Sequence, residues 1–326
     1  MNVSLPAPIG PHDLPLVSVV IETITIREHD ADAPLLESLA PTLDAVAGQR
    51  YPRERTEVFV VFDDQVRADA ADVTRRWPSA TVIVASRSNY FAAKNAGADR
   101  ARGEFVAMLD ADCVPAEDWL GMLVAAFAPG VDAVAGRTRY SGGSRVARTF
   151  SVSDFANVVG AADGAASGLN LNNVAFRREA LVAHPLDARV RRNGGCYFLY
   201  HTLRASGARI LYEPRAVVSH TLDVAGLGFA AKHFDRGFDG ANVYRIDEHA
   251  VLRGTRLFRR FGPFALLALS GRRILLDWDR LVRDRRQIGI SLPAVPYYAS
   301  VMLVTRLIEL AGGLTTFVRP GDAVHA

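Results

Sequence analysis

The chain is poor in cysteine, and this excludes several kinds of small, cross-linked protein. Its 326 residues include only two cysteines, Cys113 and Cys196. Two thiols cannot build a disulfide framework, and they cannot by themselves supply the four ligands of a structural zinc site. We therefore expect both cysteines to be reduced, as in a cytosolic protein.

Net charge is also small. Acidic and basic residues nearly cancel, which leaves a formal net charge of +3, and Lys94 and Lys232 are the two lysines among many arginines. Nucleic-acid-binding domains usually carry a much stronger basic excess on one face. The composition therefore predicts no nucleic-acid partner.

The chain lacks a clear targeting segment and a long apolar run. Residues Met1 to Leu16 have neither the basic start nor the continuous apolar stretch of a secretory signal, so we do not expect secretion. A membrane-spanning helix needs about 20 apolar residues. The uncharged stretch from Ile290 to Thr305 comes nearest to that length.

The first half of the chain alternates short β-branched runs with helical patterns. This alternation is typical of βαβ units, and it predicts an α/β fold with a Rossmann-like, mainly parallel sheet flanked by helices on both faces. The predicted strands are Val17–Glu22, Glu57–Phe62, Thr81–Ala85, Phe105–Leu109 and Val131–Gly136. The predicted helices are Leu35–Ala47, Ala68–Trp77, Ala92–Ala101 and Asp118–Phe127.

A second block completes the predicted domain. Residues Gly142 to Gly168 are rich in Gly, Ala and Ser, which predicts a loop-like bridge that is not packed. After this bridge, the predicted elements are a strand at Asn172–Phe176, a helix at Gly195–Ser206, and strands at Arg209–Tyr212 and Val217–His220, interrupted near Pro214. We therefore predict one domain over residues 1–245 and a helical segment over residues 246–326.

The C-terminal segment combines apolar runs with arginines. Two such runs are Phe261 to Leu269 and Tyr297 to Leu310. Basic, apolar helices suit a helix that lies on an anionic membrane surface, although a packed helical domain or an oligomer interface would show the same pattern. The arginines are Arg253, Arg256, Arg259, Arg260, Arg272, Arg273, Arg280, Arg283, Arg285 and Arg286.

Carboxylates follow two of the predicted strands. Asp63 and Asp64 come after the second strand, and Asp110 and Asp112 come after the fourth. Strand ends of an open α/β sheet meet at one edge, where ligands bind. Either pair alone could cap a helix, but both pairs together favour a Mg²⁺ or Mn²⁺ ion that in turn holds phosphate groups.

The order of these motifs resembles family 2 glycosyltransferases with a GT-A fold. The resemblance covers about Val17 to Arg245, and its distinctive parts are Asp63-Asp64, the run from Ala92 to Glu104 and Leu109-Asp110-Ala111-Asp112. Many members are associated with membranes and serve polysaccharide biosynthesis. The resemblance thus implies a nucleotide-sugar donor, a glycan or lipid-linked acceptor, and a location at the inner face of the cell membrane.

The resemblance also implies roles for single residues. Glu22, Asp63 and Asp64 would lie around the nucleotide base, and Lys94, where the family usually has arginine, would lie near the same donor site. Asp110 and Asp112 would bind the ribose and the metal, with His220 as a third metal ligand. On the acceptor side, the implied residues are Asn172, Asn173 and Arg236.

One part of the family pattern is missing. The acidic pair that usually supplies the catalytic base falls on Gly195 and Cys196, neither of which is a carboxylate. Cys196, Asp187 and His201 are the catalytic candidates, and Asp235 and Asp239 are further acids nearby. A thiol of ordinary pKa near 8.5 would need strong tuning to act as a base.

Two functions remain open at this point. The first is an inverting, metal-dependent glycosyltransferase, in which the metal stabilises the leaving diphosphate and a base activates the acceptor hydroxyl. The second is a catalytically silent protein that binds a sugar nucleotide or acts as a scaffold. A nucleotidyltransferase is disfavoured because Glu22-Thr23-Ile24-Thr25 stands where a glycine-rich phosphate loop would be needed.

Overall fold

The computed structural model describes residues 14–29, 34–63, 67–85, 89–141, 144–155, 158–220 and 226–318. The strands are β1 Val17–Glu22, β2 Thr56–Phe62, β3 Ala80–Val84, β4 Phe105–Asp110, β5 Cys113–Pro115, β6 Ala133–Tyr140, β7 Asn173–Arg177 and β8 Ile210–His220. The helices are α1 Ile24–His29, α2 Leu35–Ala47, α3 Arg67–Arg76, α4 Tyr90–Ala98, α5 Trp119–Ala125, α6 Arg178–Ala183, α7 Gly195–Ala205, α8 Gly226–Ile246, α9 Thr255–Phe261, α10 Pro263–Arg283, α11 Arg285–Ile288 and α12 Val295–Thr315.

The eight strands form one sheet in the order β3-β2-β1-β4-β7-β6-β8-β5. Strands β3, β2, β1 and β4 are parallel neighbours, as the alternating sequence pattern predicts. Beyond β4 the sheet is mixed, because β7 pairs antiparallel with β4 and β6, whereas β6 and β8 are parallel. Strand β5 pairs antiparallel with the end of β8, and this pairing sets Cys113 opposite His220.

Both faces of the sheet are buried, which confirms the predicted α/β layering. Along β1, Val19 and Ile21 join one core cluster with residues of α2 and α5. The intervening Val20 joins a second cluster with residues of α4 and α7 on the other face. Because side chains alternate along a strand, a continuous apolar run is what a sheet covered on both faces requires.

Two predictions about the second block were wrong in part. The Gly142 to Gly168 bridge is not unpacked: among its described residues, Phe150 and Val152 are buried within short helical turns. The two strands predicted around Pro214 are one strand, β8, whose pairing with β6 shifts register at Gly136. A bulge absorbs the extra residues, so proline is accommodated without ending the strand.

The C-terminal helices pack closely on one another. A side chain at Gly237 in α8 would meet the backbone oxygen of Glu309 in α12, and one at Gly312 would meet that of Phe234. Glycine at both positions lets the two helix backbones touch. Whether a domain boundary falls at residue 245 stays a prediction, since α8 continues through it.

Candidate functional site

Three predicted donor residues lie at one edge of the sheet. Glu22 ends β1 and is paired in register with Val61 of β2 on one side and with Asp110 of β4 on the other. Asp63 follows β2 directly and is half-buried. Parallel neighbours end at the same edge, so these carboxylates share the rim that the sequence predicted for them. Asp64 lies outside the described residues.

A compact group of metal-ligating side chains lies beside Glu22. The donor atoms of Asp110, Asp112, Cys113 and His220 are all within 4.8 Å of one another. One carboxylate oxygen of Asp112 is 3.5 Å from Nε2 of His220. The fold explains the convergence: Asp110 ends β4, a tight turn carries Asp112, and Cys113 begins the short strand that pairs with His220.

This group fits a divalent cation. Ligand bonds of about 2.0–2.3 Å put donors on opposite sides of an ion about 4–4.6 Å apart, so a small inward movement would place the four donors around one centre. Carboxylate oxygens suit Mg²⁺ and Mn²⁺, whereas imidazole and thiol add softer donors. The sequence prediction had included Asp110, Asp112 and His220 but not Cys113.

The buried Lys94 side chain forms an ion pair with Asp110. Its ammonium is fully buried, 2.8 Å from Oδ1 of Asp110, and donates hydrogen bonds to the carbonyl oxygens of Leu109 at 3.0 Å and Leu171 at 3.1 Å. Tyr90 donates its hydroxyl to the same Asp110 oxygen at 2.7 Å. An ammonium has three donors, and these three acceptors occupy them. Lys94 therefore compensates a buried carboxylate.

Glu22 is a buried acid with a perturbed proton affinity. Thr25 donates to its carboxylate from both the backbone N–H, at 3.0 Å, and the hydroxyl. Burial and, after it, the negative charge of Asp110 raise the pKa of Glu22 to about 7. The carboxyl group can therefore be protonated near neutral pH and can donate as well as accept a hydrogen bond.

Arg192 is a site residue that the sequence did not predict. Its guanidinium lies 3.8 Å above the Tyr90 ring and donates to the hydroxyl of Thr25 at 3.2 Å, so it stands next to Glu22 and the Asp110 group. Its backbone lies in the loop before α7, far along the chain from β1. The sequence signal was only Arg191-Arg192-Asn193-Gly194-Gly195, a basic turn whose contacts depend on the tertiary fold.

Asp239 of α8 holds this loop in place. Its buried carboxylate accepts from Nε of Arg191 at 2.8 Å, and from the backbone N–H and the side-chain amide of Asn193 at 3.0 and 2.7 Å. Arg192 lies between these two anchored residues. Asp235 adds a contact of 3.2 Å to Arg191. Both acids that the sequence offered as further bases are thus paired with an arginine.

The three catalytic candidates occupy different environments. Cys196 lies near Asp110, Lys94 and Arg192, and burial raises the pKa of its thiol. Asp187 is 2.8 Å from Arg189 and lines a cavity of about 220 Å³ together with Phe91. His201 packs between the rings of Tyr197 and Tyr200 on α7, and burial together with Arg253 lowers its pKa.

The predicted acceptor residues make contacts within the protein. Asn172 accepts from the hydroxyl of Thr138 at 3.0 Å. Asn173 accepts from the indole of Trp119 at 2.8 Å and donates to the Ala216 carbonyl at 3.0 Å. Arg236 forms a bidentate pair with Asp154. These bonds join the start of β7 to β6, β8 and α5, and they join α8 to the segment around Asp154.

Known proteins resemble this chain in sequence. Residues 34–177 match the family model for glycosyl transferase family 2. The chain is 30% identical over 134 residues to Glycosyltransferase AglE of Haloferax volcanii, and the match covers 39% of this chain and 41% of that protein. The matched part thus spans less than half of this curated relative.

Solved structures resemble it in fold. Mannosyltransferase PcManGT from Pyrobaculum calidifontis, in complex with GDP-Man and Mn²⁺, superposes with a TM-score of 0.58 at 20% identity, over 97% of this chain and 90% of that one. GalNAc-T7 with UDP, GalNAc and Mn²⁺ gives a TM-score of 0.56 at 14% identity, over 76% and 51% of the two chains. Residues 34–177 therefore match glycosyl transferase family 2, and the chain has the GT-A fold of these solved structures.

Proposed function

We propose that this protein is a metal-dependent glycosyltransferase that moves a sugar from a nucleotide-sugar donor to a glycan or lipid-linked acceptor, with inversion at the anomeric carbon. The observation that carries the proposal is the convergence of Asp110, Asp112 and His220 beside Glu22 at the carboxyl edge of the sheet. Two proteins of the same fold hold Mn²⁺ with GDP-Man or with UDP and GalNAc, which supports a donor of this kind.

The residues of the site divide the work of binding the donor. Asp110, Asp112 and His220 would hold a Mg²⁺ or Mn²⁺ ion, which when bound stabilises the negative charge of the departing diphosphate. Glu22 and Asp63 flank the nucleotide base. Lys94 pairs with Asp110 and fixes its orientation. All three donors of the Lys94 ammonium are occupied, so a different cation must contact the phosphates.

We assign that phosphate contact to Arg192. Its planar guanidinium can bind two phosphate oxygens at once, which an ammonium cannot do. The guanidinium stacks on the Tyr90 ring, and Asp239 forms hydrogen bonds with the residues before and after Arg192. Arg192 thus takes the role that the family pattern gives to an arginine at the position of Lys94.

The Arg192→Ala variant is expected to weaken nucleoside diphosphate binding by about 10- to 100-fold, because charge-assisted hydrogen bonds contribute about 1.5–3 kcal/mol. Calorimetry with UDP and GDP in the presence of Mn²⁺ would measure this. Arg189→Ala is the matched control, since Arg189 lies on the same loop but pairs with Asp187 and Glu248 at the surface. Equal affinities for the two variants would contradict the assignment.

The catalytically silent alternative rests on one observation. Residues 195 and 196, where the family usually places its acidic base, are glycine and cysteine, and burial raises the pKa of Cys196 rather than activating it. A panel of UDP-, GDP- and dTDP-linked sugars with Mn²⁺ would decide between the two functions. Transfer or slow donor hydrolysis supports the enzyme, whereas metal-dependent binding without any product supports the silent protein.

We further propose that α10 attaches the protein to an anionic membrane surface on the cytoplasmic side. Exposed apolar residues recur along α10 at helical spacing, namely at Phe264, Leu267, Leu275, Trp278 and Val282. Asp279 is the exposed acid between residues 253 and 286, whereas many arginines are exposed there. These exposed arginines are Arg253, Arg256, Arg259, Arg260, Arg272, Arg273, Arg283 and Arg286.

The neighbouring helix α12 supports the proposal that the C-terminal helices lie on a membrane surface and do not cross the membrane. By length and composition, Leu292–Thr315 could cross a membrane, and 28% of its most apolar window is buried in the protein. Arg306 and Glu309, however, point inward and are bonded to Asp277 and His233. A helix that places charges against its neighbours fits a packed element beneath an interfacial helix.

A Phe264→Glu, Leu275→Glu double variant is expected to lose binding to vesicles that contain phosphatidylglycerol, because both changes put a charge on the apolar stripe. Co-sedimentation would measure the bound fraction at low and high salt, since each arginine near the surface contributes about 1 kcal/mol that salt screens. Val182→Glu, an exposed apolar position on α6, is the control. Unchanged sedimentation of the double variant, or self-association of the wild type without vesicles, would contradict a lipid partner.

A further inference from the structure

We propose that Cys113 is a fourth metal ligand and makes this site bind Zn²⁺ more tightly than Mn²⁺ or Mg²⁺, in a form that excludes the nucleoside diphosphate. The inference rests on the proposed metal site for its location. It goes further because it assigns a ligand, a preferred ion and an inhibited state that depend on the Cys113 thiol.

The position of Cys113 is fixed by strand pairing. Cys113 lies directly opposite His220 in the antiparallel ladder of β5 and β8. Side chains that are opposed in such a ladder point to the same face of the sheet, so the thiol and the imidazole share one side. The sulfur is also 3.6 Å from Oδ1 of Asp112, and its side chain is fully buried.

The donor set differs from that of a site built for Mg²⁺ alone. Two carboxylates, one imidazole and one thiol come within 4.8 Å of one another. Hard ions such as Mg²⁺ and Mn²⁺ prefer oxygen donors, whereas Zn²⁺ binds nitrogen and sulfur well and takes four ligands in a tetrahedron. The thiol therefore adds little affinity for Mn²⁺ and much for Zn²⁺.

Coordination number then decides what else the ion can bind. Four protein ligands complete the shell of Zn²⁺, as they do in closed structural zinc sites. A six-coordinate ion on the same residues keeps positions for phosphate oxygens. Zn²⁺ at this site would therefore compete with the donor instead of holding it.

Cobalt provides a direct readout of the thiol, because a thiolate bound to Co²⁺ gives an intense charge-transfer absorption. The wild-type protein is expected to show this band, Cys113→Ser to lose it, and Cys196→Ser to keep it. The chain has two cysteines, so Cys196→Ser is the matched control. A band that survives in Cys113→Ser, or one that is absent in the wild type while Co²⁺ binds, would overturn the assignment.

Competition titrations test the selectivity. In Cys113→Ser, Zn²⁺ affinity should fall by at least about 100-fold, because loss of a group that only supports a ligand already costs about 10- to 100-fold. The ratio of Zn²⁺ to Mn²⁺ affinity should therefore collapse. UDP and GDP should bind the Mn²⁺-loaded wild type but not the Zn²⁺-loaded one. If Mn²⁺ and nucleotide bind while Zn²⁺ is not preferred, this inference fails alone. If the wild type binds neither ion, the proposed metal site fails as well.

Discussion

Replacement of Asp112 by alanine is expected to abolish metal-dependent nucleotide binding. Asp112 reaches the metal group from the turn between β4 and β5, with Asp110 on one side and His220 on the other. Loss of a group that only supports a ligand already costs about 10- to 100-fold in metal affinity, so loss of a ligand should cost at least about 100-fold. Calorimetry of UDP and GDP binding, with Mn²⁺ and with chelator, would measure the effect.

The control for this measurement should remove one carboxylate, as Asp112→Ala does, without altering the fold or the metal group. Asp118→Ala serves this purpose, because Asp118 lies six residues downstream and pairs with Arg50 at the surface. Asp110→Ala is less informative, since it would leave the buried ammonium of Lys94 without its carboxylate. Nucleotide binding that persists in Asp112→Ala, or that is equally strong with chelator, would remove the basis of the proposed function.

Replacement of Arg306 by alanine is expected to destabilise the protein by about 3–5 kcal/mol, because it removes the nearest cation from two buried carboxylates. The Arg306 guanidinium in α12 contacts Asp277 of α10 at 2.6 and 2.7 Å and also bonds to Glu309. All three side chains are almost completely buried. Urea unfolding followed by circular dichroism would give the difference in free energy of unfolding.

A surface pair provides the comparison for Arg306. Arg283 contacts Asp279 at 3.3 Å with both side chains mostly exposed, and such pairs contribute about 0–1 kcal/mol. Arg283→Ala should therefore be nearly neutral. Two variants of equal stability would show that the buried network does not hold α10 and α12 together.

The same network predicts how stability responds to acid. Burial by itself would raise the pKa of Glu309, but Arg306 and His233 hold that pKa well below its ordinary value. The pKa of Asp154 is also lowered, since Arg236 outweighs burial. A carboxylate with a depressed folded-state pKa stabilises the fold above its unfolded pKa, and this stabilisation is lost as the pH falls below about 4.

The sequence predicted the parts of the fold that local patterns encode. Strand β1 and helix α2 have the predicted bounds. A continuous apolar run predicts the buried strand, and an amphipathic run predicts the helix. Because the strands were predicted correctly, the positions of their ends were too, and Glu22, Asp63 and Asp110 lie at one edge of the sheet as expected. Pro214 misled the prediction because the bulge that accommodates it depends on the partner strand β6.

Contacts between distant segments could not be predicted in the same way. Arg192 meets Tyr90 and Thr25 only because Asp239, on a later helix, fixes the loop between β7 and α7. For Cys113 the sequence predicts only a reduced thiol, since nothing in the sequence pairs it with His220. The positions of Arg192 and Cys113 both depend on strand order and helix packing, which cannot be predicted from the residues next to them in the sequence.

Helix α8 contacts both the loop around Arg192 and helix α12. One of its faces holds Asp239, which anchors the turn around Arg192, while Gly237 two residues earlier lies against the backbone of α12. Gly237 and Asp239 lie on the same helix. A shift of α12 against α8 would therefore also be expected to move the loop that Asp239 holds, and with it the Arg192 guanidinium beside Tyr90. The proposed contact of Arg192 with a donor diphosphate would therefore depend on how α12 packs against α8.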